Sequence, residues 1–241
     1  SLIIIPKIQR GGRVSSLNAG LSRSTGEIFL ALDGDTSFDN QMVHRASAHF
    51  RNANVVAVTG PMRVRNASAS IVTRLQSLEY MLSMQAGKLG LTEINVINNV
   101  PGAFGIFRKS FLQQIGGWNT GTAEDLDLTL RIKQYQGRHP QLRFEFEPGA
   151  VSHTDVPDKL IDFLKQRLRW DGDLLYIYAN KHRLGISASI MGWNNFIFIM
   201  WYGILFQIVM PFTIVLYMIY MIVVLPMPFF LASMTLVYLF Y

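Results

Sequence analysis

Two carboxylates separated by one glycine, Asp33 and Asp35, directly follow a continuous apolar run at residues 27–32. A run of this length beside polar residues predicts a buried, parallel strand, and open α/β sheets bind ligands at the carboxyl ends of their strands. Carboxylate oxygens suit Mg²⁺ or Mn²⁺ bridging to a diphosphate. Asp-Gly is also common in turns, so this pair alone leaves a metal site and an ordinary turn both open.

A second acidic pair, Glu124 and Asp125, precedes the apolar segment at residues 126–130. With Thr122 just before it, the pair is typical of a helix start, in which the threonine caps the helix and the acids occupy the first turn. The alternative is catalytic, because a carboxylate held at the start of a helix and facing a crevice can act as a general base.

A third constellation combines Gln166, Arg169 and Trp170. On a helix these positions are i, i+3 and i+4, so the three side chains share one face. An amide, a guanidinium and an indole together could hold a sugar and a diphosphate. The same residues are equally typical of a basic helix beside a membrane, with its tryptophan at the interface.

The elements that must position these groups alternate between strand and helix periodicity, which predicts a parallel α/β domain. Residues 98–107, interrupted by Pro101, Gly102 and Gly105, favour a loop or a bent strand. Apolar stripes mark two of the helices, with Ile71, Leu75, Leu78 and Leu82 on one and Leu160, Leu164, Leu168 and Leu175 on the other. The predicted strands are residues 27–32, 55–59 and 143–147, and the predicted helices are residues 15–22, 40–52, 70–89, 123–134 and 157–180.

The distribution of charge predicts an integral membrane protein. Every Asp, Glu, Lys and Arg lies at or before Arg183, so residues 184–241 carry no formal charge. The 33 apolar residues 193–225 would form about 50 Å of helix, against a hydrocarbon core of about 30 Å. We therefore expect an interfacial lead-in with Trp193 and Trp201, a span ending near Val224, a turn at residues 226–228 and a second, incomplete span from Phe229.

Composition narrows the chemistry further. The chain contains no cysteine, which excludes disulfides, thiolate metal sites and a cysteine nucleophile. The net charge of +6 lies entirely in the first 183 residues and suits an anionic substrate or an anionic lipid surface. Nucleic acid is not expected as a partner, because the basic residues are scattered and no nucleic-acid-binding motif is present.

The three constellations, in this order and followed by apolar segments, resemble the processive, membrane-integrated family 2 glycosyltransferases: the cellulose, chitin, hyaluronan and poly-N-acetylglucosamine synthases. The family's D-x-D is similar to Asp33 and Asp35, its acid pair to Glu124 and Asp125, and its Q-x-x-R-W to Gln166, Arg169 and Trp170. Two further segments resemble the family: residues 12–20, with Arg13 where lysine is usual, and residues 101–104, which are similar to its Gly-rich loop below the acceptor.

The resemblance implies an inverting transferase with a GT-A, Rossmann-like catalytic domain, which moves a sugar from a UDP-sugar to a growing polysaccharide. It implies Mg²⁺ or Mn²⁺ on Asp33 and Asp35, with Asp125 and Glu124 as the catalytic residues. The implied substrate-binding residues are Arg13, Asp33, Gly102, Phe104, Gln166, Arg169 and Trp170. Two alternatives remain open: a non-processive transferase that adds one sugar to a polyprenyl phosphate or lipid, and a non-catalytic nucleotide-sugar-binding partner of an export system.

The resemblance also implies how the chain is divided into domains. It implies a partial GT-A domain at residues 1–156 without the family's first strands, an amphipathic interfacial helix at residues 157–183, and a transmembrane region of about two spans at residues 190–241. Because those strands would grip the nucleotide base, residues 1–241 alone are not expected to synthesise polymer. The expected location is the cell membrane, multi-pass, with the catalytic domain in the cytoplasm. The expected partners are a UDP-sugar, a polysaccharide acceptor, the lipid bilayer, and export or accessory subunits.

Overall fold

The computed structural model describes residues 3–119 and 121–240, except for the side chains of residues 238–240. It divides into two compact units, Ser1–Phe196 and Ile197–Tyr241. The strands of the first unit are β1 (Ile28–Leu32), β2 (Ser37–Phe38), β3 (Val55–Thr59), β4 (Met62–Val64), β5 (Phe104–Arg108), β6 (Arg143–Phe146) and β7 (Ser152–Thr154).

Helices surround these strands. They are α1 (Gly12–Arg23), α2 (Met42–Ala48), α3 (Ile71–Tyr80), α4 (Lys88–Glu93), α5 (Lys109–Gln114), α6 (Glu124–Gln136), α7 (Leu160–Tyr176) and α8 (Ala188–Met191). A 3₁₀ turn at His49–Arg51 extends α2, and π-helical stretches at Met81–Gly87 and Ile177–Lys181 follow α3 and α7. Every helix predicted from the sequence is present, with its boundaries shifted by a few residues.

The main sheet is mixed rather than parallel, which corrects the prediction from the alternating elements. Its strand order is β1-β5-β3-β6, with β5 antiparallel to both of its neighbours and β6 parallel to β3. The segment interrupted by glycine therefore supplies a central strand. Gly105 is required there because a Cβ at this position would lie 2.7 Å from the Phe107 ring. The small strands β2, β7 and β4 form a second sheet.

Two buried clusters of apolar side chains share β3 and β5. The first packs α1, α5 and α6 against the sheet and includes Val56, Phe107, Leu112, Trp118 and Ile132. The second joins the sheet to α2, β4 and Tyr80, and it includes Met42, Val58, Phe104 and Ile106. Because both clusters contact the same strands, the sheet is a rigid support for the loops that follow β1 and precede β5.

The apolar stripe of α3 faces outward, contrary to the packing that an amphipathic pattern usually predicts. Ile71, Leu75, Leu78 and Leu82 are all more than half exposed. The buried face consists instead of Thr73, Gln76 and Tyr80. The Gln76 amide nitrogen donates to the carbonyl of Pro157, and the Thr73 hydroxyl donates to the carbonyl of Ala67, so the donors of these two buried side chains are satisfied.

The predicted stripe of α7 is also exposed, and this helix contains no buried residue. Leu160 and Leu168 are 60% and 72% exposed, respectively. Such an arrangement fits a helix that covers an apolar surface outside this chain, as the sequence predicted for an interfacial helix.

One helix in the described ranges, Trp193–Val224, is long and apolar enough to cross a membrane by length and composition. It consists of α9 (Trp193–Phe198), a π-helical stretch (Ile199–Val209) and α10 (Met210–Val224). The chain then leaves the helix near Pro226, as predicted, and continues as α11 (Met227–Phe240). The apolar part of α11, Met227–Val237, is shorter than a span.

Candidate active site

Arg13 joins two of the three sequence constellations. It lies at the start of α1, where Gly12 has a φ of +70° and allows the chain to turn into the helix. Its Nη2 atom lies 2.7 Å from Asp33 Oδ1, and its Nη1 atom lies 3.1 Å from Glu124 Oε1. One guanidinium therefore bridges the end of β1 and the first turn of α6, which are far apart in the sequence.

We call Asp33, Asp35, Glu124 and Asp125 the acidic cluster. Burial raises the pKa of Asp33; Arg13 opposes this shift, and the charges of Asp35 and Asp125 add to it. Burial likewise raises the pKa of Glu124, again against the effect of Arg13. The carboxylates thus lie close enough to repel one another, and Arg13 offsets part of their charge.

Asp33, Gly34 and Asp35 form a turn, closed by a hydrogen bond from the Thr36 amide to the Asp33 carbonyl at 3.1 Å. The turn interpretation is therefore correct, and it is compatible with a ligand site. Arg65 holds the turn in place by donating to the Asp35 carbonyl at 3.0 Å while it pairs with Asp155. The carboxylate of Asp35 is left exposed beside the end of β1.

Within residues 3–119 and 121–240, no group of three or more His, Asp or Glu side chains is placed to hold a metal ion. Asp33 and Asp35 nevertheless fit Mg²⁺ or Mn²⁺. Both offer carboxylate oxygens, the donors that these ions prefer, and the mutual repulsion within the acidic cluster would fall when a cation binds. Mg²⁺ sites commonly use only one or two carboxylates and take their other ligands from phosphates and water.

Asp125 is held by the loop before β5. Its Oδ2 atom accepts hydrogen bonds from the Gly102 amide at 3.1 Å and from Asn99 Nδ2 at 3.3 Å. Its Oδ1 atom accepts from the Leu126 amide at 2.8 Å. The carboxylate is therefore fixed in orientation while the residue remains partly exposed, which is the geometry that a general base needs.

Gly102 lies next to the Arg13–Glu124 pair. A Cβ built on it would be 2.9 Å from Arg13 Nη2 and 3.0 Å from Glu124 Oε1.

Phe104, in contrast, is fully buried in the second core cluster. The side chain expected to bind substrate is therefore not available to a ligand in this structure, because Phe104 begins β5 and packs with Met42, Val58 and Ile106 in the core.

The expected cap of α6 is also wrong. Ala123 occupies the N-cap position with a φ of +42°, in the left-handed region. Thr122 does not cap the helix, because its hydroxyl donates instead to Asp173 Oδ1 on α7 at 2.6 Å. The acids do lie in the first turn, as predicted. Backbone strain at this position and a direct link to α7 are both typical of a functional site.

Gln166, Arg169 and Trp170 lie on α7, but no hydrogen bond or ion pair in the described parts of the chain joins them to the acidic cluster. The Gln166 Oε1 atom is buried without a hydrogen-bond partner among the described residues, and Arg169 is exposed. The Trp170 ring stacks with Arg167, whose guanidinium carbon lies 4.7 Å from the ring centre. Arg167 was not singled out by the sequence analysis, although it lies within the same motif.

Two further groups escaped the sequence analysis. Lys88 is fully buried and donates to the side chain and the carbonyl of Asn99, the residue that contacts Asp125. Asp127 lies two residues after Asp125 on α6 and is fully buried. Its carboxylate accepts hydrogen bonds from Lys181 and His182 at 2.8 Å each. Lys88, Lys181 and His182 belong to no recognisable sequence motif. Their contacts with Asn99 and Asp127 are therefore visible only in the folded structure.

A family model described as glycosyl transferase family group 2 matches residues 28–241. The chain is 30% identical over 161 residues to a poly-beta-1,6-N-acetyl-D-glucosamine synthase of Staphylococcus epidermidis, covering 66% of this chain and 38% of the relative. It is also 30% identical over 172 residues to the enzyme of that name from Staphylococcus aureus strain COL, covering 70% and 40%. The chain thus spans about two fifths of the length of these relatives.

Among solved structures, the chain resembles the mannosyltransferase PcManGT from Pyrobaculum calidifontis, solved with GDP-Man and Mn²⁺. The TM-score is 0.59 at 19% sequence identity, over 76% of this chain and 47% of that one. This similarity shows a mixed α/β, GT-A-like glycosyltransferase fold. Because the family model covers most of the sequence, the chain belongs to glycosyl transferase family group 2.

Proposed function

We propose that this chain carries the catalytic site of an inverting glycosyltransferase, which moves a sugar from a UDP-sugar to a growing polysaccharide at the cytoplasmic face of a membrane. The observation that carries the proposal is the double contact of Arg13 with Asp33 and Glu124. It brings the Asp-Gly-Asp turn and the acid pair of α6 to one place. The names of the Staphylococcus relatives support a polysaccharide product and N-acetylglucosamine as the first sugar to test.

Asp125 would act as the general base. A hydroxyl of the acceptor attacks the anomeric carbon of the donor, the bond from that carbon to the diphosphate oxygen breaks, and UDP leaves with the electron pair. The proton of the attacking hydroxyl passes to the Asp125 carboxylate. The hydrogen bonds from Gly102 and Asn99 hold this carboxylate ready, so little reorganisation is needed when the acceptor arrives.

Asp33 and Asp35 would hold the divalent cation, which supplies positive charge to stabilise the departing diphosphate. The structure with GDP-Man and Mn²⁺ supports the use of a metal in this fold. Arg13 would help to bind the donor, since its guanidinium already lies among the carboxylates that surround the diphosphate position. Glu124 would keep Arg13 oriented through the 3.1 Å contact.

Helix α7 would supply the acceptor side of the site and one contact to the diphosphate of the donor. The indole of Trp170 offers a flat face for a sugar ring, and the exposed Arg169 offers a guanidinium to the diphosphate. The hydrogen bond between Thr122 and Asp173 supports this proposal, because it ties α7 to the segment that leads into the catalytic helix. Gln166 would complete the set through its unpaired amide oxygen.

A membrane location is supported by the apolar helix Trp193–Val224 and by the basic residues Lys181 and Arg183 shortly before it. Basic residues flanking a span favour the cytoplasmic side, so the catalytic unit would lie in the cytoplasm. A multi-pass arrangement, with α11 contributing to a second span, belongs to the same proposal.

The test uses membranes that contain the protein and a panel of UDP-sugars, starting with UDP-N-acetylglucosamine. We expect UDP release that depends on Mg²⁺ or Mn²⁺ and a polymer that a linkage-specific hydrolase digests. Asp162→Asn is the matched control for Asp125→Asn, because this exposed aspartate on α7 pairs with Lys165 at 3.8 Å.

The product distinguishes the proposal from its alternatives. Addition of a single sugar to a lipid would identify a non-processive transferase. Binding of the nucleotide sugar without any UDP release in the presence of acceptor would identify a non-catalytic binding partner. Either result would contradict the proposed function.

A further inference from the structure

Lys88 is the least expected charged residue near the site. It begins α4, it has no solvent exposure, and its Nζ atom donates to Asn99 at two points: the carbonyl at 2.9 Å and the side-chain Oδ1 at 3.1 Å. A buried ammonium is costly unless its hydrogen bonds are used. Two of the hydrogen bonds of Lys88 go to Asn99.

The side-chain amide of Asn99 connects Lys88 to Asp125. Because Lys88 donates to Oδ1, the Asn99 amide must turn its Nδ2 group away, and that group donates to Asp125 Oδ2 at 3.3 Å. A carboxylate accepts hydrogen bonds but cannot donate them when ionised, so the orientation of the amide is determined from both ends. Lys88, Asn99 and Asp125 therefore form a directed chain.

We propose that Lys88 and Asn99 are positioning residues that orient the Asp125 carboxylate for proton acceptance. The inference rests on the proposed role of Asp125 as the base. Neither residue contacts the reacting atoms; Asn99 acts on Asp125 directly and Lys88 acts through Asn99. Their effect is thus on the efficiency of proton transfer rather than on binding of the donor.

The electrostatics agree with this geometry. Burial lowers the pKa of Lys88 to about 7, while the negative charge of Asp125 acts in the opposite direction. The charge of Asp125 therefore favours the protonated form of Lys88, which donates to both oxygens of Asn99.

Other charges also act on this site. Asp33 and Glu124 both interact with Asp125, and Arg13 interacts with those two carboxylates. Arg13 and Lys88 reach the acidic cluster from α1 and α4, respectively, so they provide positive charge from different elements. Removing Lys88 alone should leave the Arg13 contacts in place.

The experiment measures kcat and donor KM in membranes that contain the protein, for the parent, Lys88→Met, Lys88→Arg and Asn99→Ala. For Lys88→Met we expect kcat to fall about tenfold, through loss of one charged hydrogen-bond link, with donor KM within about twofold. Asn99→Ala should lower kcat similarly, and Lys88→Arg, which keeps a charged donor, should recover most of the parent's kcat.

Lys133→Met is the matched control. Lys133 is also fully buried, its pKa is lowered to about 7 by burial, and it lies on α6 beyond the site. Its replacement should leave kcat and donor KM unchanged, even if it alters the thermal midpoint. A folded Lys88→Met variant with the parent's kcat would overturn the inference, as would one whose only change is a higher donor KM.

Two further readouts keep the result decisive. If Lys88→Met does not fold, the kcat of Asn99→Ala carries the test, since Asn99 is partly exposed whereas Lys88 is fully buried. An unchanged kcat in that variant would also overturn the inference. Asp125→Asn separates the two proposals. Full turnover by Asp125→Asn would refute the proposal that Asp125 is the base. An inactive Asp125→Asn variant, together with Lys88 and Asn99 variants of normal activity, would refute only the positioning role.

Discussion

Arg167 on α7 pairs with Glu79 on α3 through two contacts, Nη1 to Oε1 at 2.7 Å and Nη2 to Oε2 at 2.5 Å. The same guanidinium lies 4.7 Å from the centre of the Trp170 ring and 4.8 Å from that of Phe163. A planar ion pair thus holds the tryptophan that we assign to the acceptor. Restricting a stacking side chain before the ligand binds lowers the entropic cost of binding.

Glu79→Gln should therefore weaken elongation of the polymer without a matching loss of donor hydrolysis. Trp170→Ala should show the same pattern more strongly, because it removes the stacking surface itself. The measurement is polymer length and UDP release from the same reaction, and Glu93→Gln provides a control at an exposed glutamate. An equal loss of both activities in Trp170→Ala would give this residue a structural role only.

Gly102→Ala should disturb donor binding. The added methyl group would meet Arg13 and Glu124 at 2.9–3.0 Å, so their ion pair must separate or the loop must shift. We expect donor KM to rise by about tenfold, corresponding to the loss of one charged contact. Gly90→Ala is the control, since a Cβ there would meet nothing within 4 Å. A Gly102→Ala variant with the parent's donor KM would show that Arg13 does not bind the donor.

Ala123→Gly should stabilise the catalytic unit. Ala123 has a φ of +42°, a conformation that costs a residue with a Cβ about 1 kcal/mol and costs glycine almost nothing. The free energy of unfolding should rise by up to about 1 kcal/mol, and Ala123→Val should lower it. Thermal unfolding of the detergent-solubilised protein measures both changes. Lower stability in the glycine variant would mean that the strain at this position is offset by contacts of the methyl group.

The buried carboxylate of Asp127 should stabilise the fold in a pH-dependent way. Burial would raise its pKa, but hydrogen bonds from His182 and Lys181 prevail and hold it at about 2. The unfolded value is about 3.9, so the stabilisation is fully present above that pH and is lost as the pH falls toward 2. Asp127→Asn should cost about 3–5 kcal/mol at neutral pH, because it leaves the Lys181 ammonium without its buried partner.

Acid unfolding of the parent and of Asp127→Asn checks this window. The difference between their unfolding free energies should shrink between about pH 4 and pH 2. A difference that stays constant down to pH 2 would mean that the ionised carboxylate is not the source of the stabilisation.

The topology prediction concerns Arg183. A reporter fused directly after this residue should read out on the cytoplasmic side, because Lys181 and Arg183 flank the apolar helix Trp193–Val224. A second reporter placed after Pro226 should read out on the opposite side if that helix spans the membrane. A signal from the external side for the first fusion would refute the cytoplasmic assignment.

Sequence patterns predicted local positions better than the sheet. Asp33 follows a strand and Asp125 lies in the first turn of a helix, as predicted, because local rules govern such positions. Gly102 was singled out only by the family resemblance, and the roles of all three residues remain proposals. The direction of β5 could not be predicted, because glycine and proline near it favour a loop and because strand pairing is decided by distant residues such as Ala57 and Val58. The outward stripe of α3 was missed for a related reason, since Gln76 and Thr73 find buried partners only after the chain folds.

The most direct test of the proposed mechanism is the turnover of Asp125→Asn, measured with the donor that supports the parent enzyme. This substitution keeps the size of the side chain and removes its ability to accept a proton. We expect kcat to fall by at least about a hundredfold, while the affinity for UDP stays within about threefold of the parent. Turnover of Asp125→Asn within a few-fold of the parent would contradict the assignment of Asp125 as the general base.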